Sequence, residues 1–437
     1  MPIRHILNMA QPSGKILEGV FAVSKPPSLS SAQVLRDLQH HFAESKTFAP
    51  LLQRTRRGEE EQERRQPKRR RRDNDQFFKM GHGGTLDPLA TGVLIVGIGR
   101  GTKHLMDFLS CKKTYETVVL FGKTTDTYDV MGKVVAEAPT ENITRAVVEN
   151  EIAKFQGKMK QIPPIYSAIK INGMKLYDYA RTGKELPREL ESRNVEISEC
   201  SLLEYYESGH HDFRWPAEQA DDEEKAVFKK LMKGAEDTKQ SITTEHERAL
   251  SDKNDAKTSK SYGKDIPRHE KAAMHIHHLP TQEEVPANAP AARIRLTVSS
   301  GFYVRSFAYD LGIACGSYGT MASLIRSQQA EFTSLQPAPD GLVPALTYKD
   351  LEAGEVTWGP KVSSVLEKWI EEHPMSDQDR NRDRDRDRDG RQYSHRGHRN
   401  PLGRGGGSKR SWDGRRDGDR SDGHRRRNSS SPEIQDR

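Results

Sequence analysis

The sequence predicts an α/β protein: one packed core of strands and helices, interrupted and followed by segments too polar to bury. Three observations carry that reading. Ile294, Leu296 and Val298 alternate with Arg293, Arg295 and Thr297, as in a strand with one face buried. Val34, Leu35, Leu38 and Phe42 recur at helical spacing, so they share one face of a helix. Hydrophobic residues make up only 33% of the 437 while charged residues reach 30%, so much of the chain lies outside any core.

In chain order, residues 1–18 read as a flexible N-terminus and the packed domain spans 19–374. Gly19 to Val23 is an apolar strand stopped by Lys25-Pro26-Pro27, after which Ser30 or Ser31 can cap the first helix. From 44 to 76 the sequence turns into charge runs, including Glu59-Glu60-Glu61 and Lys68-Arg69-Arg70-Arg71-Arg72, and is expected to be a disordered insertion. Glu116 to Phe121 reads as a strand. Val147, Val148, Ile152 and Phe155 follow Thr144 at helical spacing. A second disordered insertion is expected over 207–290, with a short helix within it at Val227 to Met232. Beyond the strand at Arg293, helices are expected at Ser306 to Ala314, at Met321 to Gln329 and around Val362 to Ile370. Residues 375–437 form a low-complexity tail rich in Arg, Asp and Gly.

The formal charge of +7 favours a polyanionic partner, because Lys and Arg neutralise phosphates and release counterions. The three cysteines show no paired spacing, which argues against a disulfide framework and a structural zinc site. His275, His277 and His278 cluster without a Cys beside them, and no metal is expected there. No apolar run is long enough to cross a bilayer, so no membrane partner is expected. The basic pentamer reads as a nuclear import signal or RNA contact on one side and a solvated charge run on the other. The first sixteen residues, basic and free of acids, read as a mitochondrial presequence or as a plain flexible end. A nuclear protein, with a mitochondrial pool as a second destination, is the expectation.

The stretch Gly81-His82-Gly83-Gly84-Thr85-Leu86-Asp87-Pro88-Leu89-Ala90-Thr91-Gly92 carries the chemistry. Its glycines let backbone approach a ligand closely, and Pro88 stiffens the turn after a lone carboxylate. It is neither a P-loop nor a dinucleotide fingerprint. By itself, an Asp between Leu86 and Pro88 reads as a turn-former more readily than as a nucleophile.

That run resembles the signature loop of TruB-type tRNA pseudouridine synthases, whose single Asp is essential for catalysis. Further blocks follow in the family's order. Lys112-Lys113-Thr114-Tyr115 precedes Gly122, Thr125, Asp126, Thr127, Asp129 and Gly132. Gln161-Ile162-Pro163-Pro164-Ile165-Tyr166 comes next, and Ser300-Gly301-Phe302-Tyr303-Val304-Arg305 last. Lys25-Pro26 is similar to the family's N-terminal pair. The resemblance implies a mixed, largely antiparallel sheet flanked by helices with an RNA cleft across its middle.

It also implies roles. Asp87 is the catalytic carboxylate, and a guanidinium, Arg305, would keep it ionised against a water-poor pocket. A base must leave its stack to be reached, and aromatic stacking recovers part of that cost. Tyr115 would stack on the base and serve as a base in a glycal route, with Tyr303 beside it. His82 would reshape the RNA loop, Leu324 would line an apolar pocket, and Lys25 would support the site. Breaking N1–C1′ and joining C5 to the same sugar needs no redox change, so no cofactor is expected. The sequence leaves open a nucleophilic and a glycal route.

The family modifies uridine 55 in the T-arm loop of tRNA, and messenger RNA sites that mimic that loop are further candidates. The segment from Leu342 to His373 is too short for the RNA-binding domain that bacterial and archaeal relatives append. A stand-alone, monomeric enzyme without guide RNA is therefore expected. A guide-RNA-dependent subunit, a tRNA chaperone and a general RNA-binding protein are the competing readings.

Overall fold

The computed structural model describes residues 14–65, 77–167, 169–182, 187, 190–226, 228 and 289–375. Strand β1 (Gly19–Lys25) leads into helix α1 (Ser31–Ala43), whose N-terminus is capped by the Ser30 hydroxyl accepting from the Gln33 N–H. Val34, Leu38 and Phe42 form the buried face that the spacing predicted. Helix α2 (Ala49–Arg65) follows and corrects the first part of the disordered insertion expected over 44–76. Phe48, Leu51 and Leu52 sit in the core, and Phe48 stacks on Phe42 with ring centroids 4.3 Å apart. Three apolar residues at the start of a charged segment are enough to dock it, although the segment's mean composition is polar. Residues 66–76, including the basic pentamer, lie outside the described residues.

The remaining principal elements are β2 (Thr91–Ile98), β3 (Lys113–Phe121), α3 (Arg145–Lys154), β4 (Gly157–Gln161), β5 (Arg193–Tyr206), β6 (Ala291–Val298), α4 (Val304–Ala314), β7 (Gly319–Gln329), β8 (Leu346–Thr347) and α5 (Glu355–Glu372). Among the described residues the main sheet has 11 strands, and its principal path runs β8-β1-β2-β7-β3-β6-β5-β4. The β8–β1 and β2–β7 pairs are parallel and the others on the path antiparallel, so the sheet is mixed and largely antiparallel as expected. Side chains alternate across it. In β1, Phe21 and Val23 enter the larger core under α1, α4 and α5, whereas Val20 and Ala22 face a smaller one with Phe332 and Trp369.

Residues 319–329 are a strand where a helix was expected. A short apolar run with few turn signals fits either period, and here the decision is tertiary: β7 is sandwiched between β2 and β3 and pairs with both. The disordered insertion expected from 207 is also corrected at its start. Phe213, Trp215, Ala220 and Phe228 pack against the sheet or its neighbouring loop, so residues 207–226 are part of the folded domain. The expected helix at 227–232, the histidine cluster and the tail lie, apart from Phe228, outside the described residues. Among the described residues no helix is long and apolar enough to cross a membrane, and all three cysteines are free.

Candidate active site

Register places the first components. On β3 and β7, Tyr115 stands opposite Arg326 and Thr117 opposite Leu324, so Tyr115, Leu324 and Arg326 share one face at the middle of the sheet. Gly92 in β2 has φ +94°, and a side chain there would run into the Arg326 carbonyl, so only glycine lets the two strands meet at this point.

The loop between the short strand Met80–His82 and β2 carries Asp87, and it is tied down from behind at nearly every residue. The Gly83 N–H donates to Ile95 O at 2.9 Å, and the Gln329 Nε2 donates to Gly83 O at 2.7 Å. The Ser31 hydroxyl accepts from the Leu86 N–H at 2.9 Å and donates to its carbonyl at 3.1 Å. Lys25, 1% exposed, donates through Nζ to the carbonyls of Pro26, Leu29 and Pro88 at 2.9, 2.7 and 3.0 Å. The Ala90 N–H closes the turn onto Asp87 O at 3.0 Å. Each such bond to a neutral group contributes only about 1 kcal/mol, but together they leave the loop one conformation.

Arg305 comes from the first turn of α4. That helix start is fixed by Gln161 at the end of β4, whose amide pairs with both backbone groups of Tyr303 at 2.8 and 3.0 Å. The guanidinium is fully engaged. Its Nε lies 2.9 Å from the Asp87 carboxylate and 3.7 Å from that of Asp129, while Nη1 and Nη2 donate to Thr127 O and Tyr166 O at 3.0 and 2.8 Å. Burial raises the Asp129 carboxyl above the usual range, with Asp87 adding to the rise and Arg305 opposing it. Its Oδ1 accepts from the Thr127 hydroxyl at 2.8 Å and the Met131 N–H at 3.0 Å.

Five of the seven residues expected from the sequence, Asp87, Tyr115, Tyr303, Arg305 and Leu324, line one cavity of about 420 Å³. Lys25 and His82 do not. Lys25 lies behind the loop with its three hydrogens committed to carbonyls, and burial pushes its ammonium down to about 8, with Arg326 adding to the fall and Asp87 opposing it. His82 ends the strand before the loop, half-buried, with Nδ1 lacking a partner. Burial first and then Arg326 lower its pKa. Sequence reasoning named Asp129 only within a motif and gave Arg326 and Gln329 no place. Reading 319–329 with a period of two would have put Arg326 on the face of Leu324. Among the described residues no group of acidic, His or Cys side chains could hold a metal.

A cavity floored by a carboxylate on a permanent cation and walled by two tyrosines suits a flat, neutral ring attached to a sugar. Residues 70–219 match the family model described as TruB family pseudouridylate synthase, N-terminal domain. The chain is 36% identical to tRNA pseudouridine synthase 4 of Schizosaccharomyces pombe over 72% of its own length and 79% of the relative's. It is 34% identical to the protein of the same name from Saccharomyces cerevisiae, over 82% and 85%.

The chain belongs to the TruB family of pseudouridine synthases. Pseudouridylate synthase TRUB1 of Mus musculus is a further relative, 41% identical over 43% of this chain and 51% of that one. Among solved structures, the one titled "Crystal Structure of a Cbf5-Nop10-Gar1 Complex" is similar at a TM-score of 0.37 and 15% identity, over 77% of this chain and 54% of that chain.

Proposed function

We propose that this TruB-type enzyme isomerises uridine to pseudouridine in tRNA, at uridine 55 of the T-arm loop, acting alone and without a guide RNA. The observation that carries the reading is the Asp87–Arg305 pair at 2.9 Å on the floor of a cavity with Tyr115 and Tyr303 in its wall. The names of the two yeast relatives, which align over most of both chains, supply the substrate class.

In this reading the target uridine leaves the loop stack, at a cost of a few kcal/mol, and enters against Tyr115, where stacking returns about 1–3 kcal/mol. The N1–C1′ bond breaks, the uracil turns, and C5 attacks C1′; the C5 proton leaves and N1 gains one. Asp87 is the group next to the sugar. It attacks C1′ or C6, or takes part in removal of the 2′ proton, and each route needs a carboxylate rather than a carboxylic acid. Arg305 pairs with it in a geometry fixed by two backbone carbonyls. Leu324 closes the apolar side of the cavity, Lys25 holds the loop from behind, and His82 acts on the RNA loop rather than on the base. Messenger RNA sites that fold like a T-loop, a monomeric enzyme, and a nuclear location with a mitochondrial pool belong to the same proposal.

The test is pseudouridine mapping on unmodified tRNA with the purified wild type and Asp87→Asn, without guide RNA. One new pseudouridine in the T-loop, present only with the wild type, is the expected result. Tight tRNA binding without modification would turn the reading to a chaperone or a guide-dependent subunit.

A further inference from the structure

The cavity holds a second buried guanidinium that the reaction as described does not use. Arg326 is 2% exposed and lies on β7 directly across from Tyr115. Nη2 donates to Thr85 O at 2.8 Å, while Nη1 donates to Gln329 Oε1 at 2.7 Å and reaches Gly84 O at 3.4 Å. Gln329, fully buried, extends the brace through Nε2 to Gly83 O at 2.7 Å and Phe108 O at 2.8 Å. The guanidinium carbon stands 5.7 Å from the centroid of the Tyr115 ring.

Stability does not account for this arrangement. Among the described residues no carboxylate pairs with Arg326, and its Nε is buried without a partner. Burying an unpaired cation with an idle donor is unfavourable. What a guanidinium provides, and neither methionine nor lysine does, is a planar fork that engages consecutive loop carbonyls while its face lies toward an aromatic ring.

We propose that Arg326, braced by Gln329, is a positioning residue for the isomerisation. It fixes the Gly83–Thr85 backbone from which Asp87 projects and the plane of the Tyr115 ring, so that carboxylate and ring meet the flipped uridine in one geometry. The inference rests on the reading of this cavity as the site of uridine isomerisation. Displacing a reacting group by about 1 Å costs on the order of 100-fold in rate, which sets the size of the effect.

Arg326→Met, Arg326→Lys and Gln329→Glu are compared with the wild type on the same tRNA. The measurements are single-turnover rate at saturating enzyme, tRNA affinity by filter binding, and thermal midpoint. Arg326→Met is expected to slow the rate by about 100-fold while tRNA affinity stays within about threefold, and Arg326→Lys to recover less than a tenth of the loss. Gln329→Glu keeps an acceptor for Nη1 but loses both donated bonds, and it should slow the rate with affinity unchanged. Where Arg326→Met fails to fold, the lysine and glutamate variants decide. Wild-type rate in Arg326→Lys, or affinity lost in step with rate, overturns the proposal: the first makes the residue a point charge, the second an RNA contact. Rate loss that only follows the folded fraction also overturns it. A wild type that binds this tRNA without isomerising it overturns the underlying reading instead, and an active wild type with unaffected variants overturns this proposal alone.

Discussion

Asp87 and Asp129 both stand beside the Nε of Arg305, at 2.9 and 3.7 Å, but their side chains are 36% and 9% exposed and their loops are built differently. The loop of Asp87 is gripped through its backbone, by Ser31, Lys25, Arg326 and Gln329, and its carboxylate is left on the cavity floor. The loop of Asp129 folds onto its own carboxylate, which accepts from the Thr127 hydroxyl and the Met131 N–H and sits out of reach of a ligand. One loop presents a carboxylate and the other stores one. A guanidinium between an open and a closed carboxylate, with both Nη groups on carbonyls, cannot swing toward solvent when substrate displaces water from the open side.

That contrast can be broken at each of its three members. Asp87→Asn keeps the volume and loses the charge, and it is expected to reduce turnover on the order of 10⁴-fold or more with tRNA binding retained, measured by single-turnover pseudouridine formation. An equal loss of binding would make Asp87 part of the scaffold. Arg305→Lys keeps the charge but cannot satisfy the Thr127 and Tyr166 carbonyls and both carboxylates from one plane. Turnover should fall by about 100- to 1000-fold. Losing the guanidinium's bonds to the Thr127 and Tyr166 carbonyls should also lower stability by about 1–3 kcal/mol, read by denaturant unfolding. Asp129→Asn retains an acceptor for Thr127 and Met131 and removes only the stored charge. About tenfold in turnover is expected, some 1.4 kcal/mol. A larger loss there than at Arg305 would show that the closed carboxylate takes part in the chemistry.

The same contrast explains what could be read without coordinates. The loop of Asp87 was legible because its demands are local: glycines where backbone approaches closely, a proline after the acid, and a motif long enough to be distinctive. Most strands and helices were legible from their periods; of Ser30 and Ser31 it is Ser30 that caps the first helix, and Thr144 caps the helix that follows it. Asp129 was written in the sequence as one acid among several, and only the fold shows that it shares a guanidinium with Asp87. Arg326 was hidden by a misread period, since β7 owes its extended form to its neighbours on both sides. Helix α2 was hidden by averaging, because Phe48, Leu51 and Leu52 dock a segment whose overall composition is that of a solvated loop.

The smallest expected effect concerns pH, and it tests whether the Asp87 loop depends on its buried anchor. Burial pushes Lys25 down to about 8, so its ammonium loses a proton in the mildly alkaline range. One of the three carbonyls of Pro26, Leu29 and Pro88 then loses its donor. Turnover should fall severalfold as pH rises past about 8, with the midpoint set by Lys25. Stability should move the other way. The unfolded lysine keeps its proton up to about pH 10.4, so between roughly 8 and 10.4 the unfolded chain binds more protons than the native one, and this group's contribution to stability rises with pH across that window. Lys25→Arg, charged throughout, should lose both the fall in turnover and the rise in stability. Single-turnover rates and thermal midpoints taken in parallel over that range make the comparison. A fall in turnover that persists in Lys25→Arg would assign the titration to another group and leave Lys25 a purely geometric anchor.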